Sequence, residues 1–130
     1  MTEQDVWEKK KVCIIEDDQD IRDIYVMKFT QDGFNVSSAE NGEVGMRVIR
    51  ETRPDIILLD IQMPVKNGIE VLEELQSDPD KQLAKTPVIM LTNVDDDRII
   101  RKIGGFETRF YLIKSLTTPQ KAVDYVREVM

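Results

Sequence analysis

The sequence predicts an α/β fold, a doubly wound and mostly parallel five-stranded sheet, and three observations predict it. Four short apolar runs, partly β-branched and without alternation, have the pattern of strands buried on both faces. Amphipathic stretches of helical period lie between them, and strand-helix alternation of this kind gives parallel pairing with helices on both sides. All five prolines (Pro54, Pro64, Pro79, Pro87 and Pro119) fall at the boundaries between these segments, where a missing N–H and a fixed φ do least harm.

The elements follow in order. Val12-Cys13-Ile14-Ile15 is the first strand. Ile21, Ile24, Tyr25 and Phe29 share one face of the first helix, which Gly33 stops. Phe34-Asn35-Val36-Ser37 alternates and reads as an edge strand. Val44, Val48 and Ile49 mark a second helical face, with Pro54 beyond it. Ile56-Ile57-Leu58-Leu59 is the third strand, and Val71, Leu72 and Leu75 form a third helix entered near Asn67-Gly68. The run from Val88 to Leu91 is the fourth strand. Ile99, Ile100 and Ile103 give a weaker helical face, stopped by Gly104-Gly105, and Tyr111-Leu112-Ile113 is the fifth strand. Ala122, Tyr125, Val126 and Val129 form the last helix, opened by Thr118 as cap and Pro119 at its first position. Residues 1–10, which hold the single tryptophan, Trp7, carry no core pattern and read as a leader; residues 11–130 read as one domain.

The chain has 130 residues and a net charge of −7, enough for one domain that buries roughly two-thirds of its unfolded surface. The acidic balance argues against direct binding to a nucleic-acid backbone. No apolar run approaches the roughly 20 residues that span a bilayer, and no secretory signal pattern is present, so no membrane association is expected. A single cysteine, Cys13, excludes an internal disulfide and fits a reducing, cytoplasmic compartment. With no histidine, Ser-His-Asp triads and ordinary zinc sites are excluded. The chemistry left is that of carboxylates, lysine, threonine and a bound hard cation.

In an open parallel sheet, ligands bind outside the carboxyl ends of the strands. The residues just past those ends are Glu16, Asp17 and Asp18 after the first strand, Asp60 after the third, Thr92 after the fourth and Lys114 after the fifth. Two carboxylates about 4 Å apart repel by about 4 kcal/mol at an effective dielectric near 20. Bringing Glu16, Asp17 and Asp60 together is therefore unfavourable without a compensating cation, and an all-oxygen set selects a hard one such as Mg²⁺. Lys114 adds positive charge at the same rim, and metal plus lysine is what lets a phosphoryl group approach a carboxylate. Plainer roles fit other acids. Asp18 or Asp20 suits a helix cap, Asp55 precedes a strand, and Asp95-Asp96-Asp97 suits a helix N-terminus. Cys13, inside a predicted central strand, reads as an inert core residue.

These residues resemble the receiver domain of two-component response regulators. The matching stretches are Val12-Cys13-Ile14-Ile15-Glu16-Asp17-Asp18 with Arg22, and Pro54 through Pro64 with Asn67-Gly68. Pro87-Val88-Ile89-Met90-Leu91-Thr92 and Tyr111-Leu112-Ile113-Lys114 complete them. The resemblance implies a flavodoxin-like (βα)5 fold with strand order 2-1-3-4-5. It implies Asp60 as phosphoacceptor, and Mg²⁺, or Mn²⁺ in its place, held by Glu16, Asp17, Asp60 and the main-chain carbonyl of Gln62. Lys114 would pair with Asp60 and then with the phosphoryl oxygens. Thr92 would turn inward to the phosphoryl group and Tyr111 would follow it, switching a face for an output protein. The implied donor is a histidine kinase or a histidine phosphotransfer protein, and the implied state a monomer or a phosphorylation-dependent dimer.

Four positions depart from the family's pattern. Ser115 replaces a proline after the lysine, Asn93 a small residue after the threonine, and Asn67 an aspartate before Gly68. The Gly105 to Tyr111 stretch is longer than usual. With nothing after the last helix to act as an output domain, a stand-alone receiver working by protein contact is expected, rather than an enzyme with turnover. The competing readings are a constitutive receiver-fold scaffold, a Mg²⁺-dependent phosphohydrolase and a flavin carrier. Asp60-Ile61-Gln62 lacks the second aspartate of the hydrolase motif, and an acidic first loop would repel a flavin phosphate.

Overall fold

In a computed structural model of the chain, which describes residues 10–92, 101, 110–113 and 117–130, five parallel strands form one sheet. They are β1 (Lys11–Ile15), β2 (Asn35–Ala39), β3 (Ile56–Asp60), β4 (Val88–Thr92) and β5 (Phe110–Ile113). The order is β2-β1-β3-β4-β5, as expected, with β3 central and β2 at an edge. The described helices are α1 (Gln19–Gln31), α2 (Gly42–Thr52), α3 (Gly68–Gln76), the short α4 (Lys81–Ala84) and α5 (Pro119–Val129).

Strand alternation divides the interior into two layers. Val12, Ile14, Ile56, Leu58, Ile89 and Leu91 face α1 and α5, where Tyr25, Phe29, Ala122, Val123 and Val126 meet them. Cys13, Ile15, Ile57, Leu59, Val88 and Met90 face α2, α3 and α4 on the other side. This is why the strand runs are continuously apolar rather than alternating. The edge strand β2 keeps a half-exposed pattern, and of its five residues Ala39 alone is buried.

Each described helix starts on a side-chain cap. Asp18, Asn41, Asn67, Asp80 and Thr118 accept from backbone N–H groups of the first turn, and each such cap contributes about 1 kcal/mol. Of the two candidates, Asp18 is the α1 cap, receiving the Ile21 N–H at 3.1 Å. Asp55 has its plain role too, accepting the Lys11 N–H at 2.8 Å across the start of the sheet. Arg127 of α5 reaches back to the α1–β2 turn, donating to the Asp32 carbonyl and lying 5.9 Å from the centre of the Phe34 ring.

Three details differ from the sequence reading. Ile24 is 47% exposed, because the buried stripe of α1 centres on Tyr25 and Phe29 and Ile24 lies about 120° around the helix from that centre. On α2, Met46 and Ile49 carry the fully buried contacts while Val44 and Val48 are partly covered. The four-residue α4 is too short for a periodic pattern; its one sequence signal is the Asp80 cap, whose carboxyl is held below its ordinary range by a hydrogen bond from Arg53 and by backbone N–H donors of Leu83 and Gln82. The leader over residues 1–9, the helical pattern at Ile99, Ile100 and Ile103, Asp95-Asp96-Asp97 and the 105–109 stretch lie outside the described residues. No described helix is long and apolar enough to cross a membrane.

Cys13 is fully buried, and burial pushes its thiol from 9.0 up to about 11, against a smaller opposing effect of a hydrogen bond with Ser37. The folded state therefore holds a proton that the unfolded chain releases. The associated stability is complete below pH 9 and is lost between about pH 9 and 11, on the order of 2–3 kcal/mol in all. Urea denaturation of wild type and Cys13→Ala over that range is expected to show a steeper decline for wild type. Parallel curves would mean that the thiol does not titrate as its burial dictates.

Candidate functional site

The register of the sheet assembles the site. Ile15 of β1 pairs with Leu59 of β3, Asp60 with Leu91 of β4, and Thr92 with Ile113 of β5. Glu16, one residue past Ile15, is thus level with Asp60 at the carboxyl edge of the two innermost neighbouring strands. Glu16 is fully buried and Asp60 is 3% exposed, and Asp17 beside them is exposed. One carboxylate oxygen from each of Glu16, Asp17 and Asp60 lies within 4.8 Å of the other two. At the 4.8 Å limit each pair of charges would repel by about 3.5 kcal/mol at an effective dielectric near 20.

Two loops frame the cluster. After β1, the Glu16 N–H donates to the Ala39 carbonyl at 3.1 Å, and the Asp18 N–H donates to Glu16 Oε1 at 3.2 Å. The Arg22 guanidinium donates to the Glu16 carbonyl at 2.8 Å. After β3, the Gln62 N–H donates to Asp60 Oδ1 at 3.3 Å. The chain then enters α3 through a capping box, in which Asn67 accepts the Glu70 N–H and Glu70 accepts the Asn67 N–H. Asn67 thus serves as cap where it stands in place of an aspartate. Lys66 ties the same loop to α3 through an ion pair with Glu74 at 2.8 Å.

Gly68 is where the loop closes on Asp60. Its N–H donates to the Ile61 carbonyl at 2.9 Å. A Cβ there would collide with the Asp60 carbonyl oxygen and come within 2.8 Å of the Ile61 Cα. The sequence marks this glycine as a helix start and as part of the Asn67-Gly68 match, and a close backbone approach leaves no periodic trace. It assigns no role to Arg22 and carries no sign that Val65 adopts φ 69°.

The three predicted carboxylates come together as expected. The Gln62 backbone is adjacent to Asp60 through its N–H, and Thr92 ends β4 at the same edge. The side chains of Thr92 and Tyr111, together with Lys114, Asn93 and Ser115 and the peptide between Lys114 and Ser115, lie outside the described residues. The donor set fits a hard divalent cation: three carboxylate oxygens, two of them on buried residues, and no nitrogen or sulfur ligand among them.

A family model described as "Response regulator receiver domain" matches residues 12–127. A "Probable transcriptional regulator ycf27" of Guillardia theta is 31% identical over 128 residues, covering 97% of this chain and 47% of that protein. The "Transcriptional regulatory protein AfsQ1" of Streptomyces coelicolor is 37% identical over 97 residues, covering 75% of this chain and 40% of that protein. The chain thus spans about half the length, or less, of these curated relatives. Among solved structures, chemotaxis response regulator CheY4 of Vibrio cholerae superposes with a TM-score of 0.84 at 23% identity, covering 93% of this chain and 98% of that one. The Francisella response regulator 1452 receiver domain gives 0.80 at 27%, covering 93% and 96%.

Two substitutions test the β3–α3 loop. Gly68→Ala is expected to lower stability by about 1–3 kcal/mol, the range for forcing a methyl into filled space, read from urea denaturation; an unchanged midpoint would mean the approach to Asp60 can relax freely. Val65 is 74% exposed and its branched side chain is disfavoured in the left-handed region. Val65→Asn is expected to raise stability by about 0.5–1 kcal/mol, and a fall in thermal midpoint would contradict that.

Proposed function

The chain belongs to the response regulator receiver domain family, and on that premise we propose that it is a phosphorylation switch whose acceptor is Asp60. The observation that carries this reading is the buried Asp60 carboxylate at the end of the central strand, with oxygens of Glu16 and Asp17 within 4.8 Å. Phosphoryl transfer needs little covalent chemistry from the protein beyond a placed nucleophile and compensation of charge.

In the proposed reaction an Asp60 carboxylate oxygen attacks phosphorus on a phosphohistidine donor. The new P–O bond forms as the P–N bond breaks, and the departing imidazole keeps the bonding pair and takes up a proton. Attack of water on phosphorus later releases inorganic phosphate and regenerates the carboxylate. Glu16, Asp17, Asp60 and the Gln62 main-chain carbonyl would hold Mg²⁺, or Mn²⁺ in its place. When bound, the cation offsets the repulsion among the carboxylates and the negative charge of the phosphoryl oxygens. Lys114 would supply a second positive charge, and the Thr92 hydroxyl a hydrogen bond to the phosphoryl group, with Tyr111 following it.

The donor is proposed to be a histidine kinase or a histidine phosphotransfer protein, and the readout a changed protein-binding face, with self-dephosphorylation instead of turnover of other substrates. The acidic balance supports a protein partner over direct contact with nucleic acid, and the placement that goes with such a role is cytoplasmic.

Incubation with acetyl phosphate and Mg²⁺, followed by intact-mass analysis, is expected to show a single phosphoryl addition in wild type. It should be lost without Mg²⁺ and in Asp60→Asn. Equal modification of Asp60→Asn would reject the acceptor, and no addition to folded wild type would favour the constitutive scaffold.

A further inference from the structure

Burial and backbone donors hold two of the three clustered acids. Glu16 and Asp60 are buried at strand ends, with the Asp18 N–H on Glu16 and the Gln62 N–H on Asp60. Asp17 is exposed, so the direction of its carboxylate is decided mainly by the peptide that carries it. That peptide is gripped at one atom: the half-buried Arg22 guanidinium donates to the Glu16 carbonyl at 2.8 Å. The Glu16 carbonyl and the Asp17 N–H share one rigid plane, so holding the first fixes the plane from which the Asp17 side chain departs.

Arg22 is itself well anchored. Its N–H donates to the Asp18 carbonyl at 2.9 Å, and Asp18 caps the same helix turn through the Ile21 N–H. The Asp18 N–H returns to Glu16 Oε1. The segment from Glu16 to Arg22 is thereby closed into a loop of hydrogen bonds with the guanidinium as its clasp. Arginine suits this place because its donors sit on a planar fork of fixed geometry.

We propose that Arg22 is a positioning residue for cation binding, holding the Glu16–Asp17 peptide so that the exposed Asp17 carboxylate meets the two buried ones. The proposal rests on the reading of Glu16, Asp17 and Asp60 as the Mg²⁺ site. It has a sign that separates it from simple charge balance. A nearby positive charge by itself repels a divalent cation, so its removal would tighten binding; loss of a positioning contact weakens it.

The test uses the full chain as wild type, Arg22→Lys and Arg22→Met. Mg²⁺ affinity is measured by calorimetry, and exchange of the Asp17 and Asp18 amides in metal-free protein by NMR. Arg22→Met is expected to weaken Mg²⁺ binding about tenfold, the lower end of what loss of a contact behind a ligand costs. Faster exchange at those two amides should accompany it, and the phosphorylation rate at saturating Mg²⁺ should stay near wild type. Arg22→Lys keeps charge and a donor and is expected to recover part of the affinity; it also carries the test should the methionine variant fail to fold. An unchanged or tightened dissociation constant in both variants, with wild type binding normally, overturns the role of Arg22 alone. Absence of Mg²⁺ binding by folded wild type overturns the metal-site reading and this proposal with it.

Discussion

Two carboxylates, Glu16 and Asp60, are buried side by side at the carboxyl edge of adjacent parallel strands, and the remainder of the site answers that constraint. The strands cannot slip to relieve it. Each is apolar on both faces, and a shift of one residue would turn every side chain to the opposite layer and carry the acids into one of the cores. The repulsion between the two groups is therefore built in by the same burial that holds the sheet together.

Backbone contacts among the described residues help to keep the acids in place. Backbone donors serve them: the Asp18 N–H reaches Glu16, and the Gln62 N–H reaches Asp60. The loop after β1 is closed by Arg22 through a main-chain carbonyl, and the loop after β3 by the Asn67–Glu70 capping box and by Gly68 pressed against the Asp60 carbonyl. Preorganised groups of this kind suit a reaction in which the protein's main contribution is position and charge.

The molecule distributes its stability unevenly. The two core layers and the capped helices α1, α2, α3 and α5 hold the scaffold. The β3–α3 loop, in contrast, carries an exposed valine at positive φ, a conformation that survives only because both ends of the loop are fastened. Local strain often accompanies functional sites, and here it lies within five residues of Asp60, the proposed acceptor, in the chain.

The strands, the caps at Asp18 and Thr118, the entry of α3 at Asn67 and the convergence of Glu16, Asp17 and Asp60 were all legible in the residues. They depend on local pattern, on β-branched runs, on Asp, Asn and Thr before helices, and on the rule that parallel sheets gather chemistry at their carboxyl edge. The strand order came from resemblance and not from any residue count, since local pattern does not say which strand lies beside which. Ile24 looked like core because spacing defines a stripe without fixing its centre, and α4 is shorter than any period can reveal. What only the tertiary structure decided are contacts between backbone atoms: the Arg22 grip on the Glu16 carbonyl, the approach of Gly68 to Asp60 and the left-handed turn at Val65. Sequence by itself determines the character of side chains, which is why it named the acids; the peptide groups that aim them are the same at every position, so their arrangement becomes readable only once the chain is folded.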